Sequence, residues 1–255
     1  MIREKLAERR VGADKGFRWR GHDISRLEGL SDAVFGFAIT LLVVSLEVPQ
    51  TFSELIRMMN GLGAFAISFL MLFIVWWNHY RFFRRYGLQD NFTVWLNAVL
   101  LFVVLFYVYP LKFLFTWLVN VFMGRGGLAQ MADGTTRAMV EREQIPLLMI
   151  IFGIGYVAVF FLFVLLYLHA YRKRFELDLN ELERFDTRSE LRECVINIAV
   201  GMASIALAAI GGLRYAGLSG WIYMLLGPLL GINGFIMGAR RQKMEKRFAV
   251  EAEAA

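Results

Sequence analysis

Residues 26–49 read R-L-E-G-L-S-D-A-V-F-G-F-A-I-T-L-L-V-V-S-L-E-V-P, and this stretch decides the fold. Arg26, Glu28 and Asp32 crowd its start, and a nearly unbroken apolar run follows to Leu46. The spacing predicts a helix from about Ser25 to Val48, stopped by Pro49, which lacks an amide donor and clashes with a preceding turn. Charge at the edge of hydrocarbon is costly, so a carboxylate heading such a run marks a functional site.

Working outward, the rest of the chain repeats the pattern of long apolar blocks. It has 255 residues, 58% hydrophobic, 15% aromatic and only 20% charged. Soluble domains average about 45–50% apolar residues, and a spanning helix needs about 20 in a row. Further spans are expected at about Gly61–Tyr80, Phe92–Val119 (with a kink at Pro110), Ile145–Tyr171, Cys194–Leu213 and Leu218–Ala239. Gly and Ala in the last two suit close helix contact in lipid. Residues 120–144 form the longest polar loop. The segment 51–59 reads as a short link into the second helix, and 172–193 as a separate charged amphipathic helix. The domain reading is a cytoplasmic tail at 1–24, a six-helix transmembrane domain at 25–240 and a second cytoplasmic tail at 241–255.

Six spans with the N-terminus inside leave 22 of the 28 Lys and Arg in inner segments and five in outer ones. Lys112 lies within the third helix, where its ammonium can snorkel outward. That bias gives an N-in, C-in protein of the cell (inner) membrane. The net charge of +6 then reflects cytoplasmic loops and not nucleic acid. One cysteine, Cys194, excludes an intrachain disulfide framework.

No enzyme signature appears: no H-E-x-x-H, P-loop, G-x-S-x-G or C-x-x-C. His22, His79 and His169 share no helical turn, so no metal site or other cofactor is expected. A T-V-G-Y-G carbonyl filter is also missing. Asn97, Asn197 and Asn233 read as interhelical hydrogen-bonding residues. On the first helix, Phe37, Leu41 and Val44 share one face at 100° per residue, and Thr40 sits beside it. Such a stripe either packs on a neighbour or lines an axis, where apolar rings can gate by dewetting.

Arg26-x-x-x-Leu30-Ser31-Asp32 resembles the R-x-x-x-F-S-D signature that opens the first helix of the TMEM175 potassium channels. Trp76-Trp77-Asn78-His79 is similar to that family's W-x-x-H at the end of the second helix, and Pro110 after Tyr109 is a weaker match. The likeness covers roughly residues 26–86. It implies a homotetramer of single six-helix units whose first helices line a central pore. It implies potassium permeation by leak, with some proton permeation, in a bed of membrane lipids. It places the apolar constriction at Phe37, Leu41 and Val44, and a pore-lining hydroxyl at Thr40. Arg26, Ser31, Asp32, Trp76 and His79 correspond to the polar network that holds the first helix on the second. Two residues depart from the pattern. Leu30 stands for the signature phenylalanine, and Phe37 stands where Ile or Leu is usual, which makes a larger plug. A proton-coupled carrier using Asp32 or Glu47, or a non-conducting scaffold, are the alternatives left by the residues alone.

Overall fold

The computed structural model describes residues 13–14, 16–21, 23–44, 50–124, 126–130 and 135–253. Helix α1 spans Arg26–Val44, so the expected end of this helix at Val48 and Pro49 lies outside the described residues. A capping box starts it. The Ser25 hydroxyl accepts from the Glu28 amide at 3.1 Å, and the Glu28 carboxylate accepts from the Ser25 amide at 2.8 Å. Glu28, Ser31, Phe35, Ala38 and Leu42 recur every three or four residues and are buried, so one stripe of α1 faces the bundle.

Residues 51–60 are not a simple link. A Thr51/Glu54 capping box opens a nine-residue helix, α2 (Phe52–Asn60), which leaves Phe52, Leu55, Ile56 and Met59 exposed. Helix α3 (Leu62–Tyr86) ends on Gly87, whose φ of 60° is the left-handed cap that favours glycine. Helix α4 (Asn91–Phe122) carries Pro110 inside its 32 residues. The long polar loop contains a small antiparallel hairpin of Leu128–Gln130 against Thr136–Ala138. Helix α5 is Ile145–Arg172.

Helix α6 (Glu181–Trp221) corrects the expectation of a separate charged helix. Asn180 caps it by accepting from the Glu183 amide, and no Gly or Pro interrupts residues 181–200, so the charged turns run straight into the apolar ones. The chain reverses at Gly212 (φ 48°, ψ −137°), a conformation that side chains with a Cβ resist. Helix α7 is Leu226–Glu253. Residues before and after Gly212 run antiparallel. The Ser204 hydroxyl donates to the Ser219 carbonyl (2.8 Å), and Arg241 Nε meets Asp186 Oδ1 at 2.9 Å. Four helical stretches among the described residues are long and apolar enough to cross a membrane, and the last, Glu181–Phe248, contains this reversal.

Helix α1 packs on α3 and α4, α4 on α5, and α5 along α6. The main core lies where Phe35, Leu42, Phe82, Tyr86, Leu100, Phe163, Leu166 and Tyr167 meet. A second cluster, around Leu111, Leu114, Met149, Phe152 and Ala208, serves the other end. The tail ahead of α1 docks on the arginine-rich end of the bundle. Phe17 is fully buried there, and the amides of Arg20 and Gly21 both donate to the Arg84 carbonyl (3.0 and 3.1 Å). That carbonyl lies in the last turn of α3, where helical partners run out, so the tail satisfies it.

Candidate pore helix and its anchor

Helix α1 presents two unlike faces. The buried face ends in a directed chain of hydrogen bonds. Ser31 Oγ donates to the Leu27 carbonyl (2.8 Å), so its oxygen accepts from Asn97 Nδ2 (2.9 Å). Asn97 Oδ1 in turn lies 2.8 Å from His79 Nε2. An amide oxygen only accepts, so Nε2 is the protonated nitrogen. Ser31, Asn97 and His79 are all at least 99% buried, so each needs this partner. The rings of Phe35 and Phe83 lie 5.5 and 4.6 Å from the imidazole and hold its plane. The chain thereby joins α1, α4 and α3 in one network.

Asp32 makes a separate link. Trp76 Nε1 donates to Asp32 Oδ1 at 2.8 Å across an exposed edge, and no bond joins this pair to the His79 chain. Arg26 is exposed on the other side of α1 and is not brought to Asp32. Of the five anchoring residues expected from the sequence, four therefore take part in the contacts that join α1, α3 and α4, in two groups. Two further members lie outside that expected set of five, although Asn97 reads from the sequence as an interhelical hydrogen-bonding residue. Asn97 bridges Ser31 and His79. Glu28 lies 3.9 Å from Arg84 Nε, tying the start of α1 to the end of α3. The S-x-x-E spacing of Ser25 and Glu28 carries the signal for the second. Nothing in the spacing of Asn97 singles it out from Asn197 or Asn233.

The opposite face of α1 has no partner among the described residues. Arg26, Gly29, Leu30, Ala33, Gly36, Phe37, Thr40 and Val43 are all exposed, at intervals of one, three or four residues. Phe37 is 56% exposed and Leu30 is 58% exposed. A Cβ added at Gly29 or Gly36 would meet nothing within 4 Å. Thr40 Oγ1 donates to the Phe37 carbonyl at 2.7 Å, which leaves the hydroxyl oxygen able to accept a hydrogen bond on the exposed side. Leu41 sits at the edge of this face, half-buried against the main core. Val44 closes the described helix.

A second set of ion pairs fixes the arginine-rich end. Arg20 Nη2 pairs with Glu183 Oε2 at 2.6 Å, and its Nε donates to the Leu177 carbonyl. Arg81 and Arg85 share Glu190. Tyr86 donates to Thr187 (2.7 Å), whose own hydroxyl donates to the Glu183 carbonyl. Breaking one partner of such a buried pair leaves an uncompensated charge. No group of three or more His, Cys, Asp or Glu among the described residues is placed to hold a metal.

A helical bundle with long apolar helices, polar contacts gathered at one end and an amphipathic first helix marks a membrane protein. Comparison with known proteins narrows this. A family model described as "Endosomal/lysosomal potassium channel TMEM175" matches residues 26–107. A potassium channel of Marivirga tractuosa is 38% identical over 243 residues, covering 94% of this chain and 98% of that protein. A potassium channel of Chamaesiphon minutus is 33% identical over 106 residues, covering 38% of this chain and 52% of that one. The crystal structure of the potassium channel MtTMEM175, T38A variant, matches with a TM-score of 0.77 and 38% identity, over 89% of this chain and 99% of that one. A Chamaesiphon minutus homologue matches in fold, with a TM-score of 0.53 at 23% identity, over 81% of this chain and 95% of that one. The chain belongs to the TMEM175 family.

Proposed function

We propose that this protein is a potassium-permeable leak channel, assembled as a homotetramer with α1 lining a central pore. The carrying observation is the unpartnered face of α1. An otherwise well-packed helix leaves a continuous stripe from Arg26 to Val43 exposed, beside a buried stripe that anchors it. Four copies related by a central axis would cover that stripe with itself. The near full-length likeness to a bacterial potassium channel supports the ion and the class.

In this reading each chain crosses the membrane six times with both ends in the cytoplasm. The gathering of arginine and carboxylate side chains at one end of the bundle supports that orientation. Phe37, Leu41 and Val44 form successive apolar rings that gate by dewetting, in place of a carbonyl filter. Phe37 lies on the exposed face and Leu41 at its flank, so the phenylalanine sets the narrowest ring. Thr40 offers an oxygen between the rings to a partly dehydrated cation. The Ser31–Asn97–His79 chain and the Asp32–Trp76 bond hold α1 at its radius.

The test is reconstitution of purified protein into vesicles loaded with potassium. The reading requires a detergent particle of four chains and potassium efflux that follows the gradient without any co-transported solute. Efflux only when a pH gradient is imposed, lost in Asp32→Asn, would replace it with a proton-coupled carrier.

A further inference from the structure

Six described arginines near the inner end of the bundle find a carboxylate: Arg18, Arg20, Arg81, Arg84, Arg85 and Arg241. Several others do not. Arg174, Arg184 and Arg188 meet no carboxylate among the described residues and lie instead over two aromatic rings. The Arg174 guanidinium is 4.5 Å from the Phe175 ring centre and 5.2 Å from that of Tyr171. Arg184 covers Phe175 at 5.2 Å, and Arg188 covers Tyr171 at 5.9 Å. Such distances lie within cation–π range.

This arrangement leaves the guanidinium donors largely unused. Arg184 and Arg188 each spend only Nε, on the carbonyls of Leu179 and Arg184, and Arg174 spends only Nη1, on the Tyr171 carbonyl. The remaining N–H edges match the geometry of a phosphate oxygen pair. Their depth is set by α5. Its apolar run ends at Tyr171 and Arg172, so the cluster sits where a span leaves hydrocarbon and enters the headgroup layer. Phe175 is 70% exposed at that level, as a side chain seated among lipids would be. The cluster also lies on elements other than those α1 packs on, since α1 packs on α3 and α4 while α6 packs on α5 and α7.

The geometry points to an anionic-lipid headgroup site formed by Arg174, Arg184 and Arg188 on Tyr171 and Phe175. Its ligand is the phosphate of an acidic phospholipid, such as phosphatidylglycerol, with Phe175 inserted beside the glycerol backbone. The site stands independently of ion conduction.

Native mass spectrometry of the full-length detergent-solubilised protein tests this, with phosphatidylglycerol or phosphatidylcholine added to the micelles. The wild type retains phosphatidylglycerol in preference to phosphatidylcholine. One basic residue strengthens such association about fivefold, so Arg174→Gln/Arg184→Gln/Arg188→Gln weakens it about a hundredfold. Arg240→Gln/Lys243→Gln/Lys246→Gln removes the same charge elsewhere and leaves it within about threefold. Replacing the three arginines by lysine keeps the charge and the fold but removes the flat stacking, and weakens retention about fivefold. Equal loss in the Arg240 control, unchanged retention in the lysine variant, or displacement of the lipid by equimolar inorganic phosphate would each overturn the proposal.

Discussion

Lys112 Nζ donates to the carbonyl of Leu42 at 2.6 Å. The lysine sits in the middle of a long apolar helix, and its side chain turns onto α1 instead of snorkelling outward as expected from the sequence. It ties α4 to the last described turn of α1, at the end opposite the His79 network. Helix α1 is thus pinned at both ends, with Phe37 and Thr40 between the pins.

Lys112→Met removes the upper pin while keeping most of the side-chain volume. A charged hydrogen bond is worth about 1.5–3 kcal/mol, and the loss is expected in thermal unfolding of the detergent-solubilised protein. Lys112→Arg should recover part of it. Equal melting temperatures for the wild type and Lys112→Met would mean that the bond contributes nothing.

Asn97→Leu cuts the lower pin in its middle. It leaves the donor of His79 and the acceptor of Ser31 buried without partners, at a cost of about 1–3 kcal/mol each. A double-mutant cycle with His79→Phe isolates the coupling. If the two substitutions act through one chain, the double variant loses clearly less than the sum of the singles. Additive losses would separate the two residues.

The start of α4 and the end of α5 meet through Asp90, whose carboxylate accepts from Thr93 (2.7 Å) and lies 2.8 Å from His169 Nε2. Burial acts to raise the Asp90 carboxyl, but the Thr93 hydroxyl, His169 and Lys173 outweigh it and hold the group below the usual carboxylate range. A depressed acid stabilises the fold above its unfolded value, about 3.9, and that contribution fades as pH falls through the lower folded value. Melting temperature should therefore drop below about pH 4 in the wild type. Asp90→Asn should start lower and show a shallower drop over the same range. A slope unchanged by the substitution would assign the acid sensitivity to other groups.

Gly21 lies against the end of α3, where an added Cβ would come within 2.7 Å of the Phe83 carbonyl oxygen. Gly21→Ala must push the tail off the Arg84 carbonyl. The expected result is a destabilisation of about 1–3 kcal/mol and faster proteolytic cleavage near Arg18 and Arg20. A cleavage pattern like that of the wild type would mean that the tail docks by other contacts.

The long apolar helices were legible because lipid demands about 20 consecutive apolar residues, a signal that tertiary packing does not blur. Their ends were less so. The last reversal was expected near Arg214 to Gly217 but falls on Gly212, because a single glycine with positive φ turns the chain without a polar loop. The charged turns 181–193 were split from the span that follows, although their sequence holds no breaker. Within the candidate site, the motif named Ser31, Asp32, Trp76 and His79, yet not how they group. Asn97 pairs across 66 residues with Ser31 and across 18 with His79, and long-range partners of this kind leave no trace in local spacing. The docking of Phe17 and Arg20 was hidden for the same reason: a short basic tail looks alike whether it is solvated or clamped to Glu183.

The central claim is that the exposed face of α1 lines the conduction path. Potassium efflux from proteoliposomes containing Phe37→Ala tests it most directly, with Leu41→Ala alongside and Phe102→Ala, an exposed position on α4, as control. The account predicts faster efflux for Phe37→Ala, a smaller rise for Leu41→Ala and wild-type rates for the control, all from particles of unchanged mass. Efflux from Phe37→Ala that matches the wild type would contradict it.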